Sequence, residues 1–303
     1  MASRAWYSTP RRAARKLSLN LRKRWSSVSV EPSQAVASGA RFLGDHDRVL
    51  LSRIEDAGLN ASAPPQQRWM DGWLVRTCPG KAQRARCINA VAAGRLPVAD
   101  KLAECAKLYR ELGLPLLVRI TPFTQPARLD GELAAARFAL HDETRVMVAP
   151  RLAALALALK TEPLPTGTVC TERPATEFAA AAAALRGSSP EAQRAHAERL
   201  LSAPVPYRGF VLARQGEVLA CGQIAQEGQL VGLYDIITAT RCLRQGLATW
   251  FCKRLLTLAI SEGTSSSAYL QVGADNEAAR RIYRRLGFAD AYSYHYRMPQ
   301  PAA

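Results

Sequence analysis

The apolar positions of this chain change period several times, and each change marks an element. Between Pro97 and Leu112, Leu102, Ala106 and Tyr109 recur at helical spacing, and Gly113 stops the run. Asp47 to Gly58 reads as an earlier helix. Asn60 to Gln67 is a polar, Pro-containing loop. Trp69 to Arg76 then reads as a strand, with a turn at Pro79-Gly80. Arg84 to Ala92, Leu116 to Thr121 and Glu143 to Val148 read as further strands, and Leu129 to Phe138 as a short helix. Leu152 to Lys160 is Ala- and Leu-rich and reads as helical, and Pro163 to Gly167 as a linker.

Much the same order returns in the second half. Thr176 to Leu185 is an Ala-rich helix. Pro190 to Leu201 is another, with Ser189 placed to cap it and Pro190 in its first turn. Gly209 to Ala213, Val218 to Ile224 and Leu230 to Ile237 alternate as strands of an antiparallel meander, joined at Gln215-Gly216 and Glu227-Gly228. A helix follows to about Ser261, with Leu247, Phe251, Leu255, Leu258 and Ala259 on one face. Ala268 to Val272 is a strand, a helix ends at Tyr283 to Phe288, and Tyr292 to Arg297 closes the chain as a strand.

Two blocks in this second half carry chemistry. Arg244-Gln-Gly-Leu-Ala248 is a basic, Gly-containing turn opening a helix, where free N–H groups and the helix dipole favour an anion. The other block is Asn276, Ala279, Tyr283, Gly287 and Phe288 in a second helix. In that order, with a helix and a strand between, the two blocks resemble those of the GNAT superfamily of N-acetyltransferases. The chain departs from that pattern at Leu243, where the family has Arg or Gln; Arg241 and Arg244 are the neighbouring charges.

The resemblance implies an α/β fold (α+β in other schemes) of two acyl-CoA N-acyltransferase-like domains, each a mixed, mostly antiparallel sheet flanked by helices. The expected division is a basic tail over 1–45, a degenerate acetyltransferase-like domain over 46–160 and a catalytic domain over 161–303. The first half has no counterpart of the 244–248 turn. The implied reaction is acetyl transfer from acetyl-CoA, as co-substrate, to a primary amine by direct attack. Ile237, Arg241, Arg244, Gln245, Gly246, Leu247, Ala248 and Asn276 are the implied acetyl-CoA contacts, with an oxyanion donor on the strand ending at Ile237. Tyr283 is implied as the acid that protonates the departing thiolate; a core tyrosine bonded to a backbone group is the other reading. Asn276 also has the place of a helix N-cap.

Asp235 falls on the face of Leu233 and Ile237 by period-two counting, and a carboxylate there needs a partner or a raised pKa. It is a candidate general base, with an ion pair to an arginine as the alternative. His295 is a second candidate base. Trp69, Asp71, Trp73 and Arg76 cluster in the first half, as pocket lining or as a half-buried strand.

Composition narrows the partners. The net charge of +16 points to anionic ones, whether coenzyme phosphates, nucleic acid or acidic lipid, or else to a base composition favouring Arg codons. The basic, Ser-rich residues before Glu31 read as a disordered arm, with organellar import or nucleic-acid contact through residues 1–30 as alternatives. The seven cysteines show no C-x-x-C spacing and the four histidines no ligand pair, so neither a disulfide framework nor a metal site is expected, and a cytoplasmic location fits. A non-catalytic acetyl-CoA-binding protein and a nucleic-acid-associated protein are the competing classes of function.

Overall fold

The computed structural model describes residues 45–80, 82–156, 159–160, 163–164, 166–263 and 265–300. The expected basic arm therefore lies outside the described residues, as do 157–158 and 165 of the expected helix and linker. In chain order the elements are α1 (Asp45–Ala61), β1 (Gln67–Met70), β2 (Trp73–Arg76), β3 (Ile88–Ala90), α2 (Val98–Glu111), β4 (Val118–Ile120), α3 (Leu129–Ala135), β5 (Phe138–Ala149), β6 (Thr168–Arg173), α4 (Ala175–Arg186), α5 (Pro190–Ser202), β7 (Tyr207–Arg214), β8 (Glu217–Glu227), β9 (Leu230–Thr238), α6 (Leu247–Ser261), β10 (Ser267–Gly273), α7 (Glu277–Arg285) and β11 (Ala289–Pro299).

The chain forms two compact units, and neither is a single stretch. One holds Gln66–Asp142 and the described residues 294–300; the other holds α1 to Pro65 and Glu143–Ser293. The expected contiguous ranges, 46–160 and 161–303, differ from this at both ends. The reason lies in two strands: the second half of β5 pairs with β10, and the end of β11 pairs with β4, so each half of the chain gives part of its last strand to the other unit's ladder.

In the first unit, β1, β2 and β3 are antiparallel neighbours, β3 and β4 are parallel, and β4 is antiparallel to the end of β11. A parallel neighbour requires a crossover, which α2 supplies. Trp73, Val75, Ile88, Val118 and Ile120 form the core with Leu102 and Tyr109 of α2 and with Leu129 and Leu133 of α3. The expected strand 69–76 is instead a hairpin. Asp71 and Gly72 both have positive φ, 42° and 81°, which is the turn a two-residue Asp-Gly loop makes. The expected strand 84–92 is mostly a loop, with a 3₁₀ turn at Gln83–Ala85 before β3. The expected helix over 152–160 is a 3₁₀ turn at Leu152–Leu155.

The second unit orders its strands β5-β10-β9-β8-β7-β6. Only β9 and β10 are parallel there, joined through α6. Strand β6 was not foreseen; it is an edge strand whose residues are mostly exposed or half-buried, so its hydrophobic signal is weak. The capping foreseen for α5 is present, with the Ser189 hydroxyl accepting the Ala192 N–H and Pro190 at the first turn. Helices α6 and α7 cover one face of the sheet through Phe251, Leu255, Leu256, Tyr283 and Leu286. Helices α4 and α5 cover the other through Phe178, Ala182 and Leu200 on Val211 and Cys221. Among the described residues no helix is long and apolar enough to cross a membrane.

Candidate active site

The site begins with a break in sheet regularity. The parallel ladder of β9 and β10 ends at Leu233–Leu270, although β9 runs on to Thr238 and β10 to Gly273. On its other side β9 pairs Ile237 with Cys221 and Tyr234 with Gln223, so two residues of β9 stand opposite Gly222 alone. This is a bulge, which bends the strand and re-aims its side chains. Asp235 in the bulge has φ 50°. A Cβ on Gly222 would lie 2.5 Å from the Ile236 side chain and 2.6 Å from the Phe251 ring, so only glycine fits opposite it.

The bulge overturns the period-two count. Leu233 and Ile236 both pack with the α6/α7 core, whereas Ile237 packs with the α4/α5 core. Asp235 points to that second face, toward Arg186 of α4 and His196 of α5. It therefore shares a face with Ile237 but not with Leu233.

On the α6/α7 face lies a cleft of about 580 Å³. Ile236 and Thr238 of β9, Leu243, Arg244, Gly246, Leu247, Ala248 and Thr249 at the start of α6, and Asn276, Ala279, Arg281, Ile282 and Arg285 around α7 line it. Gly246 has φ 77°, no side chain caps the helix it opens, and nothing lies within 4 Å of where its Cβ would stand. The start of α6 thus carries no side-chain cap and lines the cleft together with three arginines, 244, 281 and 285. The arrangement suits a phosphate-bearing ligand.

Several expected contacts reach this cleft: Arg244, Gly246, Leu247, Ala248 and Asn276. Asn276 also caps α7, accepting the Ala279 N–H at 3.1 Å. Others do not. The Arg241 side chain is held by Glu217 at 2.7 Å and the Val218 carbonyl, and the Gln245 amide donates to the Arg241 carbonyl. The Ile237 side chain lies on the opposite face, so Ile236 and Thr238 take its place in the cleft. Arg281 and Arg285, which also line it, are not among the contacts that the resemblance implies. Their i, i+4 spacing, on the helix face that also carries Ala278 and Ile282, was the available signal. Their neighbours Arg280 and Arg284 are tied to Glu277 and Asp290 instead.

The Tyr283 ring is buried, set edge-on to Phe288, behind the cleft residues Ala279 and Ile282. Burial, with Cys252 nearby, pushes its phenol well above the ordinary range, so it stays protonated at neutral pH. Its hydroxyl makes no hydrogen bond among the described residues, unlike Tyr109, which donates to the Arg76 carbonyl at 2.6 Å.

Asp235 is no free base. Its carboxylate accepts from Arg186 at 2.5 Å and Gln223 at 2.6 Å, and lies 3.1 Å from His196 Nε2. Burial would raise its pKa, but His196 and Arg186 outweigh this and hold it far below the usual carboxylate range. The ion-pair alternative is the arrangement found. His295 belongs to the first unit, where it and Arg297 of β11 meet Asp130 of α3 at 2.9 and 2.7 Å. Nor do Trp69, Asp71, Trp73 and Arg76 converge: Trp69 is 64% exposed, Trp73 lies under the Lys101 ammonium, and Arg76 bonds Gln67 and the Arg84 carbonyl.

The comparisons with known proteins agree with this geometry. The family described as "Probable histone acetyltransferase Rv0428c C-terminal" matches residues 51–297. An uncharacterized N-acetyltransferase, YobR of Bacillus subtilis (strain 168), is 26% identical over 233 residues, 77% of this chain and 92% of that protein. A GCN5-related N-acetyltransferase from Kribbella flavida superposes with TM-score 0.58 at 17% identity, covering 86% of this chain and 97% of its own. A tandem GNAT protein from the clavulanic acid biosynthesis pathway gives 0.54 at 13% identity, over 69% and 72% of the two chains. The match over most of the chain, on a mixed sheet that opens beside an uncapped, arginine-lined helix start, places this protein in the Rv0428c acetyltransferase C-terminal family and, with it, among the acyltransferases of the GNAT superfamily.

Proposed function

We propose that this enzyme transfers an acetyl group from acetyl-CoA to a primary amine by direct attack, without an acyl-enzyme. The open start of α6 at Gly246, flanked by Arg244, Arg281 and Arg285, carries the reading. Those groups hold the coenzyme phosphates. The gap beyond Leu233–Leu270 admits the thioester, and the β9 backbone from Asp235 to Thr238 supplies an N–H to its carbonyl oxygen as negative charge develops. Tyr283 donates a proton to the departing thiolate. Positioning of the two reactants contributes most of the rate.

We read the first unit as a degenerate acetyltransferase-like domain, making the chain a tandem protein. Its strand-helix-strand-helix order from β3 to β5 parallels that from β9 to β11. The acceptor is a primary amine of a small molecule, an amino acid or a protein; the name of the matching family favours a protein. Seven free cysteines fit a cytoplasmic location.

The test is release of free coenzyme thiol by the full chain, with acetyl-CoA and a panel of spermidine, tyramine, free amino acids and a lysine-containing peptide. Amine-dependent release, with the acetylated amine seen by mass spectrometry, is the expected result. Acetyl-CoA bound but unspent with every amine would overturn the transfer reading.

A further inference from the structure

Two features distinguish the α4/α5 face of the second unit. The first is where the bulge sends its side chains. Ile236 and Thr238 face the cleft that suits the coenzyme, while Asp235 and Ile237 face the other side of the sheet. The ladder of β9 and β10 ends at Leu233–Leu270, and the face on the far side of the sheet from the cleft is the one that holds Asp235. The second is what stands there. His196 of α5 places Nε2 3.1 Å from Asp235 Oδ2, a close approach although not aligned as a hydrogen bond. Its other nitrogen, Nδ1, has no hydrogen-bond partner among the described residues, and its side chain is 12% exposed.

The ring is fixed from several sides. Phe178 of α4 meets it edge-on at 6.1 Å. Arg186 of α4 and Gln223 of β8 hold the Asp235 carboxylate in place. Asp235 faces the ring, and the titratable and charged groups that act on Asp235 besides His196 are Arg186, Arg199 of α5 and Cys221 of β8. Burial pushes the Cys221 thiol up to about 12, so it carries no charge near neutrality. One carboxylate thus faces an imidazole, held rigid by an arginine and an amide.

We infer that His196 is the general base of this enzyme and that Asp235 is its positioning residue. The inference rests on the acetyl-transfer reading. An acceptor amine arrives mostly as ammonium. Its N–H bond breaks and the proton moves to Nδ1 of neutral His196, leaving a free amine and an imidazolium that the Asp235 carboxylate stabilises. The amine nitrogen then bonds to the thioester carbon and the carbon–sulfur bond breaks. Tyr283 gives its proton to sulfur, and the proton shed by nitrogen on forming the amide restores the phenol. Asp235 cannot take the ammonium proton itself because its oxygens are already committed to Arg186, Gln223 and His196.

The experiment compares the wild-type chain with His196→Gln and His196→Ala across pH 6 to 10, using the amine that responds best in the panel above. In His196→Gln, kcat/KM is expected to fall by roughly 10²- to 10⁴-fold at pH 7 while acetyl-CoA affinity stays within about twofold. The loss is expected to shrink about tenfold per pH unit as the amine, of pKa near that of lysine at about 10.4, deprotonates unaided. Free imidazole is expected to restore part of the activity of His196→Ala, and this arm decides the matter if the Gln variant does not fold. Wild-type kcat/KM and pH profile in a folded variant would overturn the inference and leave acetyl transfer standing. A pH-independent loss without imidazole rescue would reduce His196 to a packing residue and overturn it as well. A wild-type chain that spends no acetyl-CoA with any amine would remove the transfer reading, and the inference with it.

Discussion

Asp71 accepts the backbone N–H of Arg95 with both carboxylate oxygens, at 2.9 Å each. It also takes the N–H of Leu96 at 2.8 Å and lies 3.3 Å from the buried Lys101 ammonium. These N–H groups stand in the turn between β3 and α2, the connection that, on the proposed tandem reading, matches the turn between β9 and α6. On that reading a side chain of the protein takes up, in the first unit, the N–H groups that the proposal offers to a phosphate in the second. Gly94 completes the fit, since a Cβ there would lie 2.2 Å from Asp71 Oδ2.

The first unit is therefore expected to take up no coenzyme. Calorimetric titration of the full chain should give one acetyl-CoA per chain. Asp71→Ala should lower the urea midpoint, because Lys101 loses its carboxylate and Arg95 and Leu96 lose their acceptor, and leave acetyl-CoA affinity unchanged. Two sites per chain, or a weakened affinity in Asp71→Ala, would contradict this assignment.

The arginines of α7 divide into two classes. Arg281 and Arg285 line the cleft, whereas Arg280 and Arg284 are paired with Glu277 and Asp290. Replacing Arg281 or Arg285 by Ala is expected to weaken acetyl-CoA about tenfold or more, as the loss of one charge-assisted hydrogen bond predicts. Arg284→Ala should leave the affinity within about twofold. Gly246→Glu, which puts a carboxylate into the open helix start, should abolish binding. Equal effects from Arg281 and Arg284 would show that net charge, not the cleft, holds the ligand; salt titration separates the two.

Tyr283→Phe keeps the ring against Phe288 and removes only a hydroxyl with no partner among the described residues. Turnover is expected to fall by roughly 10²- to 10⁴-fold, with little change in acetyl-CoA affinity or in the urea midpoint. Wild-type turnover in the variant would remove the acid role.

Asp130 links pH to the stability of the first unit. Burial tends to raise its pKa, but His295 and Arg297 outweigh that and hold it well below the ordinary value. A depressed native pKa means that the unfolded chain binds the extra proton first. The contribution is then fully present above the unfolded value, about 3.9, and is lost as pH falls from there toward the native one. Urea midpoints between pH 3 and 6 should fall more steeply at the acid end for the wild type than for Asp130→Asn. Identical slopes would show that the cluster carries no such linkage.

Local chemistry made much of this protein legible in the sequence. Periodicity located most helices and strands, and Ser189-Pro190 announced the start of α5. The 244–248 turn and the Asn276-to-Phe288 block announced the cleft and implied the family, because a helix start and its glycine are decided by a few adjacent residues. The Asp71-Gly72 hairpin was equally local, but its turn dipeptide was passed over inside an apolar run.

What required the tertiary structure was every relationship across the sheet. The bulge at Asp235 exists because Gly222, on the neighbouring strand, leaves room for Ile236 and Phe251, so strand alternation counted along β9 alone puts Asp235 with the wrong neighbours. His196 looked like one of four scattered histidines until α5 packed it against that bulge, 39 positions away in sequence by its distance from Asp235. Arg281 and Arg285 became cleft residues only when α7 docked beside the start of α6. Helix starts and periods follow from neighbours along the chain; which face a bulged strand turns to which helix follows from contacts that close only when distant segments pack.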